Sequence, residues 1–304
     1  MQKEKGLSVV EVSHRLKEEW RRWKSVSKLK VVINVITHDH SFDLNTVEDG
    51  DTVLDILSWI NGRAALLPMV ASLVEAGARP EITRDLIMIR CIENHLRVCL
   101  PDKISCRSPV HFMTILLNHG ATLNEVHWTE RGVNINSRCL RYLLLDRGVP
   151  YGCPDYVELA ILFLVHGAYI HPKYLVPYWF DATHAVEPDD DTELLKDYKR
   201  LLRYFRFTGH KSLSVLLCNE KVWKWEVIQC SAEHVQSVGI LTQVREYFQS
   251  LEPRPESLQF QCRRVIRKRL IIAADGKSIL NGIDDLPLPV ILCDYLKFKD
   301  VEPS

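Results

Sequence analysis

Apolar residues recur at intervals of three and four through much of the chain, the spacing that lines one face of an α-helix. Four such runs end alike: VINVITHDHSFDLN, MVASLVEAGARPEI, FMTILLNHGATLNE and AILFLVHGAYIHP. In the last three a Gly-Ala pair follows directly. Gly77, Gly120 and Gly167 therefore stand where a helix C-terminus needs a residue tolerant of positive φ. A recurring helix-and-turn unit is the mark of a repeat architecture, here with uneven spacing: Ala78 to Ala121 is 43 residues and Ala121 to Ala168 a further 47.

Between these runs, TRDLIMIRCIENHLRVCL predicts one helix and the segment opening at SPVHF, residues 108 to 112, a second. HPKYLVPYWFDATHAVEPDDD is a polar connector with aromatics, and helical periodicity returns in TELLKDYKRLLRYFRF and in SAEHVQSVGILTQVREYFQSL. The acidic run Asp189 to Asp191 before Thr192 suits a helix N-terminus, where carboxylates offset the dipole. Residues 14 to 30, HRLKEEWRRWKSVSKLK, lack a wide apolar face and predict a solvated helix capping the first repeat.

LEPRPE, residues 251 to 256, reads as a proline-bearing linker. The roughly fifty residues after it are too few to bury a self-sufficient core, so this module should lean on the repeats or on a partner. Within it, Leu258, Cys262 and Ile266 fall on one helical stripe with Val265 beside them, while Arg263, Arg264, Arg267 and Lys268 occupy the rest of the helix. Further on, Leu286, Pro287, Leu288 and Pro289 place two prolines in an apolar run. Proline there fixes φ and removes a donor, which predicts an extended, pre-ordered loop presenting its leucines with little entropy left to lose.

Composition narrows the function classes. Lysine plus arginine and aspartate plus glutamate stand at 39 each in 304 residues, so no net field favours nucleic acid or an anionic membrane. The apolar runs are too short to cross a bilayer and the start MQKEKG has no signal-peptide core, which predicts a cytoplasmic protein with nuclear access left open. Nine cysteines without a CxxC pair fit buried, reduced thiols better than a disulfide framework or zinc site. The HDH at 38 to 40 sets two imidazoles at a spacing that does not share a helix face, so neither a metal nor another cofactor is expected. His119 and His166, each before a Gly-Ala pair, are expected to bond backbone at the turns. No nucleophile-elbow, phosphate-loop or dinucleotide motif is present, which argues against an enzyme. Trp128, Tyr178, Trp179 and Phe180 lie in predicted connectors and are candidate substrate contacts, since tryptophan and tyrosine are enriched at binding hot spots.

Two resemblances draw these observations together. The helix-and-turn runs, and FDLNTVEDGDTVLD at 42 to 55 with Asp43, Asn45, Asp49, Gly50, Thr52 and Leu54 near register, resemble degenerate ankyrin repeats; Val53 and Asp55 replace the usual proline and histidine. The serine-leucine-x3-cysteine-x3-aliphatic pattern, with LPLP 28 residues after the leucine, resembles the SOCS box, although Gln261 stands where members often carry leucine. The chain thus resembles the ankyrin-repeat-and-SOCS-box family. That implies an all-α fold: a helical cap over 1–30, a degenerate ankyrin-like solenoid with helical extension over 31–250, and a three-helix SOCS box over 251–304.

The resemblance also implies partners. A BC box at 257–266 would bind Elongin C, itself paired with Elongin B, through Leu258, Cys262, Val265 and Ile266. A cullin-5 box at about 283–298 would bind cullin-5 and its RING partner through Leu286, Pro287, Leu288 and Pro289, with Leu292, Tyr295 and Leu296 continuing it. The chain would then be a non-catalytic substrate receptor of a ubiquitin ligase, its array holding a protein substrate. The competing expectation is a plain ankyrin scaffold in which Leu258 and Leu286 turn into the chain's own core.

Overall fold

The computed structural model describes residues 7–38, 41–59, 66–82, 87–99, 109–129, 132–145, 155–170, 191–208, 246 and 257–300. They divide into two compact units, one ending at Thr122 and the other beginning at Leu123. The elements are mostly helical, as the apolar spacing predicts.

In the first unit, α1 (Val9–Trp23) starts at a reciprocal cap. Ser8 Oγ accepts from the Glu11 amide at 3.1 Å while Glu11 Oε2 accepts from the Ser8 amide at 2.8 Å. Lys24 then takes the left-handed conformation, φ 46°, and ends the helix before α2 (Val26–His38). The segment 14–30 is therefore two helices, and it is half-buried: Leu16, Trp20 and Leu29 are all inside. With Val9 and Val12, which lie before that segment, Leu16 and Trp20 complete the apolar face that packs α1 on α2 and α3 (Val53–Trp59). The remaining helices, α4 (Leu66–Glu75), α5 (Ile87–Cys99) and α6 (Pro109–Asn118), pack with α4 central, touching α2, α3, α5 and α6.

The loop before α3 turns at Asp49-Gly50, where both residues have positive φ and Glu48 and Asp51 exchange backbone hydrogen bonds at 3.0 Å. Thr52 and Asp55 then cap α3 from within the core. The Asp55 carboxylate accepts from the Thr52 amide and hydroxyl at 2.9 and 2.7 Å, and Thr52 Oγ1 accepts from the Asp55 amide at 3.2 Å. Asp55 thus takes up a bonding role at the helix start.

The second unit opens on an element absent from the sequence expectation, an antiparallel hairpin of β1 (Glu125–Thr129) and β2 (Gly132–Asn136). It is followed by α7 (Arg138–Leu145), α8 (Asp155–Val165), α9 (Asp191–Phe207), α10 (Leu258–Ala273), α11 (Leu280–Asp284) and α12 (Val290–Leu296). Helix α8 packs on α7 and α9, and α12 packs on α10 and α11. Ser137 starts α7 as Thr52 starts α3: its hydroxyl accepts from the Leu140 amide at 3.1 Å and donates to the Leu123 carbonyl at 2.7 Å.

The turns expected at Gly77, Gly120 and Gly167 are all present, with φ of 107°, 89° and 101°. Each makes the same two bonds. The glycine amide reaches back three residues and the following alanine amide five, from Ala78 to Leu73, Ala121 to Leu116 and Ala168 to Phe163. That pairing satisfies carbonyls which the helix end leaves free. Two asparagines brace these turns identically. Asn45 donates to the Gly77 carbonyl at 3.1 Å and accepts from the Arg79 amide at 2.8 Å. Asn124 does the same to Gly167 at 3.1 Å and Tyr169 at 2.9 Å.

Candidate functional site

Helix α10 is capped by Ser257, whose hydroxyl accepts from the Phe260 amide at 3.2 Å. Its apolar stripe faces outward, against the competing scaffold expectation that Leu258 turns into the chain's own core. Leu258 is 76% exposed, Val265 57%, and Cys262 also faces solvent. Arg263 and Arg267, which the sequence places off that stripe on the rest of the helix, are 2% and 1% exposed and lie on the inner side with Ile271. Two charges inside and a leucine outside are costly unless each has a partner.

The arginines have theirs within the chain. Arg267 Nη1 donates to the Leu296 carbonyl at 2.7 Å, and its Nη2 donates to the carbonyls of Leu164 and Val165 at 3.0 and 2.7 Å. One guanidinium therefore serves the C-termini of two helices, α12 and α8, where unpaired carbonyls and the negative end of the dipole favour a cation. Burial, with Arg263 nearby, lowers its pKa to about 9, so it stays charged at neutral pH. Arg263 stacks on Tyr295 at 3.3 Å and donates from Nη2 to both oxygens of Asp300 at 2.6 Å.

These bonds join the C-terminal segment to the rest of its unit. Ile271, Ile279, Ile283, Cys293 and Leu296 form one core with Ile135 of the hairpin, and Val133 and Tyr169 pack against it. Gly167 is favoured on two counts: its φ is 101°, and a Cβ there would stand 3.0 Å from Ile279 Cγ2, a tight contact. The Gly276 carbonyl accepts from the Leu123 and Asn124 amides at 2.8 and 2.9 Å. Phe260 meets Phe207 of α9 with ring centroids 5.6 Å apart, and Phe298 meets Tyr204 at 6.3 Å. The module leans on its neighbours, as its size requires.

His166 is part of this joint. It is buried and its Nδ1 lies 2.8 Å from the Ser278 hydroxyl, so its ring bonds a side chain rather than the backbone expected for it. Burial first, and then Arg267, lowers its pKa to about 4. His119 does bond backbone, Nδ1 to the Ile115 carbonyl at 2.8 Å.

The LPLP segment is a compact turn rather than an extended loop. The Leu288 amide donates to the Leu286 carbonyl at 2.7 Å, a three-residue turn centred on Pro287. Pro289, at φ −55° and ψ 144°, then occupies the cap position of α12, where its carbonyl accepts from the Leu292 and Cys293 amides. Pro287, Leu288 and Pro289 are exposed, and the apolar surface continues through Val290, Ile291 and Leu292. Leu286 is half-buried against the module's core, as is Ile266.

The predicted site residues therefore separate into two groups. Leu258, Cys262, Val265, Pro287, Leu288 and Pro289 are exposed, whereas Ile266 and Leu286 are half-buried against the module's core. Trp128 stands on β1, 71% exposed. Tyr178, Trp179 and Phe180 lie outside the described residues, as do the linker 251–256 and the histidine of HDH at 40. Among the described residues no helix is long and apolar enough to cross a membrane, and no group of three His, Cys, Asp or Glu is placed to hold a metal ion.

Residues 254–297 match the family model of the SOCS box. The SOCS box links substrate receptors to Elongin B/C–cullin ubiquitin ligases. Ankyrin repeats are not detected by a family model. No curated protein and no solved structure matches the chain.

Proposed function

We propose that this chain is the substrate-recognition subunit of an Elongin B/C–cullin-5 ubiquitin ligase. The observation that carries the reading is the inverted polarity of α10. A helix that buries two arginines and exposes Leu258, Cys262 and Val265 has its apolar stripe set aside for another protein. In this reading Elongin C covers that stripe, and cullin-5 with its RING partner docks on Leu286–Pro289 and the exposed start of α12. The repeated glycine turns, with asparagine braces at two of them, support an ankyrin-like array as the substrate-holding part.

The chain would perform no bond chemistry. It would hold a substrate lysine near a charged conjugating enzyme, so that transfer is accelerated by effective concentration. Its substrate is a protein, and the place of work is the cytoplasm, with nuclear access open.

The test is co-expression with Elongin B and Elongin C, wild type against Leu258→Ala/Cys262→Ala, followed by size-exclusion chromatography and mass spectrometry. Truncating a buried interface anchor costs about 2–4 kcal/mol, so the double variant should lose the three-chain complex. A variant that still coelutes with both Elongins would refute the assigned box, and a wild type that elutes alone would leave a plain scaffold.

A further inference from the structure

Charge is unevenly spread along the chain. Lysine plus arginine balance aspartate plus glutamate at 39 each, yet residues 14–30 carry seven of the basic residues and only two of the acidic ones. In α1, His14, Lys17 and Arg21 recur at three and four, the spacing that puts side chains on one face, and Lys24 follows at the helix end. Val12, Leu16 and Trp20 face the core. His14, Arg21 and Lys24 are exposed and Lys17 is half-buried, so the basic stripe lies on the outer flank of the helix.

The stripe lacks a counter-charge. Glu11 accepts from the Ser8 amide at the cap, and Glu19 accepts from the Trp23 indole at 2.8 Å. Glu18, three positions before Arg21, forms no ion pair, and among the described residues neither do Lys17, Arg21 and Lys24. Instead like charges crowd each other: burial first, and then Arg21, lowers the pKa of Lys17. Lys30 on α2 is the contrast, its Nζ 2.6 Å from the Glu75 carboxylate.

Of the anionic partners that answer such a stripe, the structure favours one. A lipid surface takes up an apolar helix face, and that of α1, with Val9, Val12, Leu16 and Trp20, is already buried in the unit's own core. A nucleic-acid strand gains from stacking on open rings, but the ring of Trp23 already carries Lys28 Nζ at 3.3 Å and Arg22 at 4.9 Å from its centroid. The chain also has no net positive charge to draw in phosphates. Carboxylates on a protein segment fit the dimensions. His14 to Lys24 spans ten positions, about 15 Å at 1.5 Å per residue, the length of roughly three turns of an acidic helix lying alongside.

We infer that the outer flank of α1 is a docking surface for an acidic segment of another protein, whose carboxylates pair with Lys17, Arg21 and Lys24. The surface stands on the charge distribution alone; its assignment to the substrate rests on the ligase reading above.

The experiment titrates the full chain into a labelled poly-glutamate peptide and follows fluorescence anisotropy at about 0.15 M salt, where exposed charges more than ~8 Å apart are screened. Wild type is compared with Lys17→Gln/Arg21→Gln/Lys24→Gln and with Lys268→Gln/Arg269→Gln/Lys277→Gln, which removes the same charge from exposed positions of the other unit. The stripe variant should bind about 10-fold more weakly, the combined effect of three exposed ion pairs, and the second variant as wild type does. Arg21→Lys, which keeps the charge, should also bind normally, and its loss of binding would overturn the charge pairing. Equal weakening in both triple variants would reduce the effect to net charge and overturn the inference. So would a wild type that ignores the peptide, or that prefers a single-stranded oligonucleotide or phosphatidylserine vesicles. No Elongin or cullin enters this assay, so its failure leaves the ligase reading standing. A chain that binds the peptide but never Elongin C would keep the surface and lose its assignment to a ligase substrate.

Discussion

Arg267 works without a carboxylate partner, and that decides what its removal would do. Its three acceptors are main-chain carbonyls of Leu164, Val165 and Leu296, so a substitution leaves them in place and takes a donor from each, although Leu164 keeps the Gly167 amide. Arg267→Met keeps most of the side chain's length and apolar contacts but supplies no donor. It should destabilise the second unit by about 3 kcal/mol, read as a lower urea midpoint at unchanged slope. An unchanged midpoint would mean that the helix ends are satisfied by water. His166 beside it gives a pH signature. Its pKa is about 4 in the folded chain against 6.5 for a free imidazole, so between those values the unfolded chain binds the extra proton. Stability contributed by this residue is complete above pH 6.5 and is lost as pH falls toward 4, by about 3 kcal/mol in all. Thermal melts of His166→Gln should lack that acid-side slope, and a variant that keeps it would assign the slope to other groups.

Among the elements, the helix C-termini were the most legible in the sequence, because a Gly-Ala pair after an apolar run has one economical conformation. The hairpin was not recognised, although EVHWT and GVNIN both alternate. Each strand is only five residues long, and the apolar positions of β2, Val133 and Ile135, are covered by isoleucines more than 130 residues further on, which local pattern does not reveal. The same distance hides the burial of Arg263 and Arg267. An arginine-rich helix reads as solvated until the carbonyls of α8 and the ring of Tyr295 are brought to it. The prolines make the proline segment legible as a break between helices, but not the compact turn at Leu286–Leu288, which depends on where α11 ends. Alanines at Leu286–Pro289 remove both the turn's proline and the proline at the α12 cap. They should weaken cullin recruitment while sparing Elongin binding, as measured by pull-down of each subunit; equal loss of both would point to a collapsed module.

At the level of the second unit, the C-terminal module and the elements before it share one core, so the module is not an appendage on a flexible tether. Ile279 needs the glycine at 167, Ile271 and Ile283 need the hairpin's Ile135, and Arg267 needs the last carbonyls of α8. Cut out as residues 254–304, the module would keep α10, α11 and α12 but lose one wall of its core, the Asn124–Gly276 backbone bond and two of the three acceptors of Arg267. About fifty residues with that deficit do not retain a cooperative fold. The excised fragment should therefore show little amide protection in hydrogen exchange and no cooperative melt on its own. Adding Elongin B and C should restore part of the protection, because binding to the folded form alone shifts the equilibrium. A fragment that melts cooperatively without partners would show the shared core to be dispensable. It would also remove the physical ground for treating the hairpin, α8 and the C-terminal helices as one folded body.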